Sequence, residues 1–170
     1  MSQNGRVKYL CVVVFLVGLF LCVFPFLSNE FVKNKQVDES VGVLEIPSID
    51  VRLPIYPDVK EEMLQYGVGH IKSSHLPGGG KNTHSLIAGH RGLPRASLLV
   101  RLGEVKVGEH FFITMGEEVY QYCVTEICVI RPEDTACLKV QDGRELVSII
   151  TCTPLGIHTH RLVVTGERIH

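Results

Sequence analysis

From Tyr9 to Leu27 the chain runs for about nineteen residues without a charge, reading YLCVVVFLVGLFLCVFPFL. Wound as a helix at 1.5 Å per residue, that run spans roughly 28 Å, close to the hydrocarbon thickness of a bilayer. It constrains everything else, because any packed domain has to be built from the residues that follow it. Arg6 and Lys8 precede the run as a signal-type flank, and the exit Phe26-Leu27-Ser28-Asn29-Glu30 offers no small-x-small cleavage site. Residues 1–28 therefore read as an uncleaved signal anchor with a transmembrane helix over 9–27. Lys33 and Lys35 nearly balance Arg6 and Lys8, so charge sets the orientation only weakly. An anchor placed ahead of a catalytic domain points to that domain lying outside the cell. The anchor also accounts for a mean hydropathy of +0.20 in a chain that is 21% charged.

Residues 29–42 (NEFVKNKQVDESVG) are polar without an apolar period and read as a linker. From residue 43 to 170 short apolar runs alternate with turn signals. Strands are predicted over 43–47, 51–56, 110–115, 119–130, 146–152 and 162–168, with another ending at Leu86-Ile87-Ala88-Gly89-His90. Asp58-Val59-Lys60-Glu61 has the form of a capping box opening a short helix that stops at Gly67, and a second short helix is expected over 95–102. Many strands with few short helices indicate an all-β barrel or sandwich. A net charge of −1 excludes a polybasic nucleic-acid binder. The run Gly78-Gly79-Gly80 is not a phosphate loop, since Lys81 is followed by Asn82 and no helix follows.

Chemistry concentrates at strand ends. Cys152 closes the β-branched run Val147-Ser148-Ile149-Ile150-Thr151, and Thr153-Pro154 stops the strand behind it. A cysteine there can meet solvent while its backbone stays fixed, which suits a nucleophile. Arg161 opens the next strand nine residues on, so antiparallel pairing would bring its guanidinium beside the sulfur. His90 ends another strand between Gly89 and Gly92. Thiol, imidazole and guanidinium at three strand ends are the parts needed for acyl transfer through a thioester.

These residues also carry a family resemblance. Thr151-Cys152-Thr153-Pro154, Gly156 and Thr159-His160-Arg161-Leu162 resemble the signature of sortases, most of all the pilus-assembling class C group. Gly69-His70, Leu76-Pro77-Gly78-Gly79 and Ala88-Gly89-His90-Arg91-Gly92 match upstream blocks in the same order. The resemblance covers 43–169 and implies an eight-stranded sortase β-barrel with short helices. It implies Cys152 as nucleophile, His90 as general acid/base and Arg161 as stabiliser of the oxyanion or substrate backbone. Thr151 and His160, flanking them, are assigned as substrate-binding positions. The implied reaction is attack on the Thr–Gly carbonyl of an LPXTG-like sorting signal, then transfer to a pilin lysine amine. A sortase of another class attaching proteins to the cell wall, or a membrane-anchored thiol peptidase using water, would use the same residues. The implied partners are LPXTG-bearing surface proteins or pilins and the membrane held by residues 9–27. The implied location is the extracellular face of a Gram-positive type envelope.

The chain departs from the class C pattern in two ways. Ser148-Ile149 replace the usual first residues of the cysteine strand, and no Asp-Pro-aromatic lid tripeptide stands between the anchor and Val43. Either a lidless class C enzyme with an open site or a sortase of another class is therefore expected. No cofactor or metal is expected: His158 and His160 lack further ligands at suitable spacing, and His70, His75 and His84 read as surface or loop residues. Cys123, Cys128 and Cys137 are expected as free structural thiols, the alternative being one disulfide among three possible pairings with one thiol left over. Cys123 and Cys128 fall on opposite faces of their strand unless a bulge intervenes, which argues against pairing those two.

Overall fold

The computed structural model describes residues 13–22, 24, 39–92 and 98–169. The chain divides into units 1–38 and 39–170. Within the first, residues 13–22 and 24 are helical and exposed, while the remainder of the 9–27 run and most of the linker lie outside the described residues. Among the described residues no helix is long and apolar enough to cross a membrane.

The second unit is a closed barrel of eight strands: β1 (Gly42–Ile46), β2 (Val51–Tyr56), β3 (Val68–His70), β4 (Thr83–Gly89), β5 (His110–Met115), β6 (Glu118–Ile130), β7 (Glu145–Thr153) and β8 (His160–Arg168). They close in the order β1-β2-β3-β4-β7-β8-β6-β5. β2/β3 and β4/β7 pair in parallel and the other neighbours antiparallel.

Strand periodicity decides what fills the barrel. Leu44 and Ile46, Ile55, Ile87, Phe111 and Ile113, Tyr122 and Val124, Val147 and Ile149, and Leu162 and Val164 all join one buried cluster. Each occupies alternate positions of its strand, so the residues between them point outward. Burial of such side chains contributes about 1.5–3 kcal/mol apiece before conformational entropy is offset. Phe111 stacks on Tyr122 with ring centroids 5.3 Å apart.

Outward residues are usually wet, but on β7 and β8 many are dry. Leu146, Ser148, Ile150, Val163 and Thr165 are buried, although they belong to the outward phase. A strap covers them. The β6–β7 connection, residues 131–144, carries a 3-10 turn at Ala136–Leu138. Cys137 Sγ lies 3.3 Å from Cys128 Sγ on β6. The Lys139 carbonyl lies 3.0 Å from His84 Nδ1 on β4. β8 and β7 run between those two strands, so the strap crosses their outer face.

Several expectations change. β3 escapes the sequence pattern because it has three residues and follows a glycine. His70 and His84 are not surface residues: they sit in β3 and β4, and both are buried. Asp58 caps nothing; its carboxylate accepts from the Val59 N–H at 2.8 Å and from Lys72 Nζ at 2.9 Å. The helix starts later, at Glu61–Leu64. The second helix is a 3-10 turn at Val100–Glu104, with residues 93–97 outside the described set.

Candidate active site

β7 and β8 pair Cys152 directly with Arg161. Both are outward residues, since their neighbours Thr151 and Leu162 form the adjacent inward pair. β4 runs parallel to β7 with Ala88 opposite Ile150, and two more residues bring His90 level with Cys152. Ile87 is inward, so His90 shares the outward phase. Cys152 and Arg161 thus stand side by side on the outer face of β7 and β8, and His90, the first residue past β4, comes level with them. The direct pairing of Cys152 with Arg161 matches the antiparallel register expected from the sequence.

Two hydrogen bonds bracket the row. Thr151 Oγ1 donates to the Gly89 carbonyl at 2.9 Å. Arg91 Nη1 donates to Thr153 Oγ1 at 3.1 Å. The residues before and after His90 are therefore tied to the residues before and after Cys152. Arg91 was not singled out in the sequence: an arginine beside a histidine shows nothing of its partner across a parallel strand pair. Its Nε is buried without a hydrogen-bond partner among the described residues.

The three side chains also have partners of their own. His90 Nε2 lies 3.1 Å from Glu61 Oε1, with the His90 side chain 28% exposed and that of Glu61 70%. Water screens so open a pair, so it orients the ring more than it stabilises the fold. Arg161 Nη1 donates to the carbonyls of His158 at 3.2 Å and His160 at 3.1 Å, bracing the β7–β8 turn. Cys152 is a free, half-buried thiol. Among the described residues no hydrogen bond joins the three functional groups to one another.

Thr151 and His160, the expected substrate-binding positions, sit in different surroundings. Thr151 is 2% exposed and its hydroxyl is committed to Gly89, so its side chain fixes strand position instead of facing a ligand. His160 is half-buried, and its Nδ1 lies 2.9 Å from Thr159 Oγ1 on the rim beside Arg161.

Below the row the covered face carries a polar cluster among Leu146, Ile150 and Val163. His84 Nε2 lies 2.8 Å from Ser148 Oγ, which lies 2.7 Å from Thr165 Oγ1. Burial, with smaller contributions from Arg144 and His75, holds the His84 imidazole below its ordinary value despite the opposing Lys139 hydrogen bond. A buried serine beside a histidine resembles a catalytic pair, but Ser148 is fully buried and here it links β7 to β4 and β8, while His84 reaches the strap at the Lys139 carbonyl. Among the described residues no cluster of histidine, cysteine and carboxylate could hold a metal.

The site is thus a strand-end cysteine beside an arginine on the paired strand of a closed eight-stranded barrel. The sortase domain model matches residues 44–169, and the chain belongs to the sortase family, whose members are cysteine transpeptidases. It is 31% identical over 130 residues to sortase A of Streptococcus agalactiae, covering 75% of this chain and 52% of that protein. The chain thus spans about half the length of that relative. Among solved structures it resembles Streptococcus pneumoniae sortase C, described in connection with pilin substrate specificity, at TM-score 0.76 and 40% identity over 78% of this chain and 70% of that one. A sortase C from pilus island 1 of group B Streptococcus matches at TM-score 0.75 and 43% identity, over 78% and 75%.

Proposed function

We propose that this chain is a pilin-type sortase that cleaves an LPXTG-like sorting signal and transfers the acyl group to a lysine amine of a pilin. The observation that supports this best is the pairing of Cys152 with Arg161 on β7 and β8, with His90, just past the end of β4, held level with Cys152 by the Gly89–Thr151 and Arg91–Thr153 hydrogen bonds. In this reading the Cys152 thiolate attacks the Thr–Gly carbonyl, and Arg161 stabilises the oxyanion or orients the substrate backbone. His90 protonates the departing glycine amine, leaving a thioester. The lysine amine then attacks the thioester, His90 takes up its proton, and the thiolate leaves as an isopeptide bond forms. Arg161 turns from the carbonyls of His158 and His160 toward substrate, and His90 exchanges Glu61 for the reacting groups. His160 forms part of the rim against the sorting signal.

The class C likeness of the solved structures supports the pilin acceptor. The identity with sortase A supports a second reading, attachment of surface proteins to the cell wall. The uncharged run 9–27 would anchor the chain in the membrane, with the barrel on the extracellular face of a Gram-positive type envelope.

The test incubates the full chain in detergent with an LPXTG-type peptide, alone and with a lysine-bearing pilin fragment, and weighs the products. The expected result is an acyl-enzyme adduct, absent in Cys152→Ala, and a cross-linked product with pilin. Hydrolysed peptide alone under every acceptor would make the protein a thiol peptidase and refute transfer. Turnover retained in Cys152→Ala would remove that residue from its role.

A further inference from the structure

The thiols of Cys128 and Cys137 lie 3.3 Å apart, and nothing in the transfer reaction uses them. Their meeting depends on a feature hidden in the sequence. β6 shifts register between Val124 and Glu126, and the bulge reverses the alternation of the strand. Tyr122 and Val124 point inward before it, and Ile127 packs on the core after it. Cys123 and Cys128 therefore both face outward, five residues apart along the strand, and Cys128 comes under the strap. There it meets Cys137, in the 3-10 turn Ala136–Leu138.

The position is not neutral for the site. Cys128 pairs with Val163, and two residues further along these strands Ile130 pairs with Arg161. Strand spacing then puts the Cys128 backbone about 12 Å from that of Cys152 on the same outer face. The far end of the strap is held by His84 at the Lys139 carbonyl, and at the near end this pair of thiols joins it to β6.

We propose that Cys128 and Cys137 form a site of reversible oxidation whose disulfide fixes the near end of the strap beside the Cys152–Arg161 row. The co-reactant is a small-molecule disulfide or a disulfide-bearing oxidoreductase. The Cys137 thiolate attacks one of its sulfurs, forming a mixed disulfide and expelling one thiolate. The Cys128 thiol then loses its proton and attacks Cys137 Sγ, expelling the second. Two protein thiols are oxidised, one disulfide is reduced to two thiols, and the electrons balance. Burial, and then the adjacent Cys137, push the Cys128 thiol up to about 12, so Cys128 suits the second, intramolecular step. The sulfurs need to close by little more than 1 Å to reach bonding distance.

The inference does not rest on the transfer reading and is tested without substrate. The full-length Cys152→Ala chain in detergent is treated with oxidised glutathione, blocked with N-ethylmaleimide, and cut after glutamate. Glu133 lies between the two cysteines, so cleavage there leaves them on separate peptides. The expected result is a disulfide-linked pair of peptides carrying Cys128 and Cys137, two fewer maleimide adducts, and a Tm raised by several degrees that reducing agent reverses. Cys128→Ser should lose all three. Full alkylation of both thiols after oxidant treatment, or a linkage through Cys123 instead, would overturn the proposal.

Discussion

Thr151→Val tests whether the bond between β7 and β4 places the nucleophile. Thr151 Oγ1 donates to the Gly89 carbonyl at 2.9 Å and the residue is 2% exposed. Valine is close in volume, so no cavity opens, but the donor is lost and an apolar methyl faces a buried carbonyl. Removing one partner of a buried hydrogen bond costs about 1–3 kcal/mol. In a barrel of this size that corresponds to a Tm lowered by roughly 4–12 °C. The same bond joins the residue before His90 to the residue before Cys152. If about 1.4 kcal/mol of the restraint acts at the transition state, kcat falls about tenfold, with KM within about twofold. Thr151→Ser keeps the hydroxyl and should recover most of kcat. The assay is steady-state cleavage of a fluorogenic sorting-signal peptide beside a thermal melt of each variant. A Thr151→Val protein with the expected loss of Tm but wild-type kcat would refute the reasoning: the bond would hold the barrel together without positioning the row.

Three further outcomes follow from the geometry. A Cβ at Gly166 would stand 2.4 Å from Phe111 Cε1 and 3.1 Å from Tyr122 Cβ, both ring residues being buried. Gly166→Ala should therefore cost about 1–3 kcal/mol by overpacking, read from urea denaturation. Tyr122 donates to Glu145 Oε1 at 3.0 Å and accepts from the Gly78 N–H at 3.1 Å. Tyr122→Phe should lower stability by about 1–3 kcal/mol without opening a cavity, and an unchanged denaturation midpoint would show that water replaces the hydroxyl. His84 titrates below its ordinary value of 6.5 when folded, chiefly through burial, so below pH 6.5 the unfolded chain binds the extra proton. Its contribution is full above pH 6.5 and is lost as pH falls toward the folded value. Denaturation midpoints between pH 7.5 and 5 should fall, and should fall less steeply in His84→Gln; equal slopes would remove His84 as a source.

Some parts of this molecule are legible in sequence and others are not, for physical reasons. Strands such as Phe111–Ile113 and Val147–Ile149 show themselves because a barrel wall alternates buried and exposed residues, a pattern written into consecutive letters. Cys152 and Arg161 were legible as a pair because a short turn between antiparallel strands fixes which residues meet. β3 was hidden because three residues carry no period. The strap was hidden because Ser148 and Thr165 look like solvent-facing positions until something covers them. The Cys128–Cys137 contact depends on a bulge, and no local pattern marks where β6 gains its extra residue. Arg91 and Thr153 meet across a parallel pair, sixty-two positions apart in sequence. Such a contact leaves no trace in either neighbourhood.

The core and the candidate site depend on one and the same register. On β7 the inward phase holds Val147, Ile149 and Thr151, and the outward phase ends at Cys152. Slipping β7 by one residue against β4 and β8 would exchange the phases, since side chains alternate strictly along a strand. Ser148 would enter the apolar interior without His84 or Thr165 to pair with, at a cost of about 1–3 kcal/mol for the hydroxyl alone. Cys152 would turn inward beside Leu162, away from Arg161 and His90. The nucleophile thus needs no separate device to aim it: the packing of Val147 and Ile149 excludes the alternative register, and Thr151 secures the last step of the strand. Perturbations deep in the barrel should therefore reach Cys152 through strand phase, whereas those in the strap should leave phase intact and alter only the surface beside it.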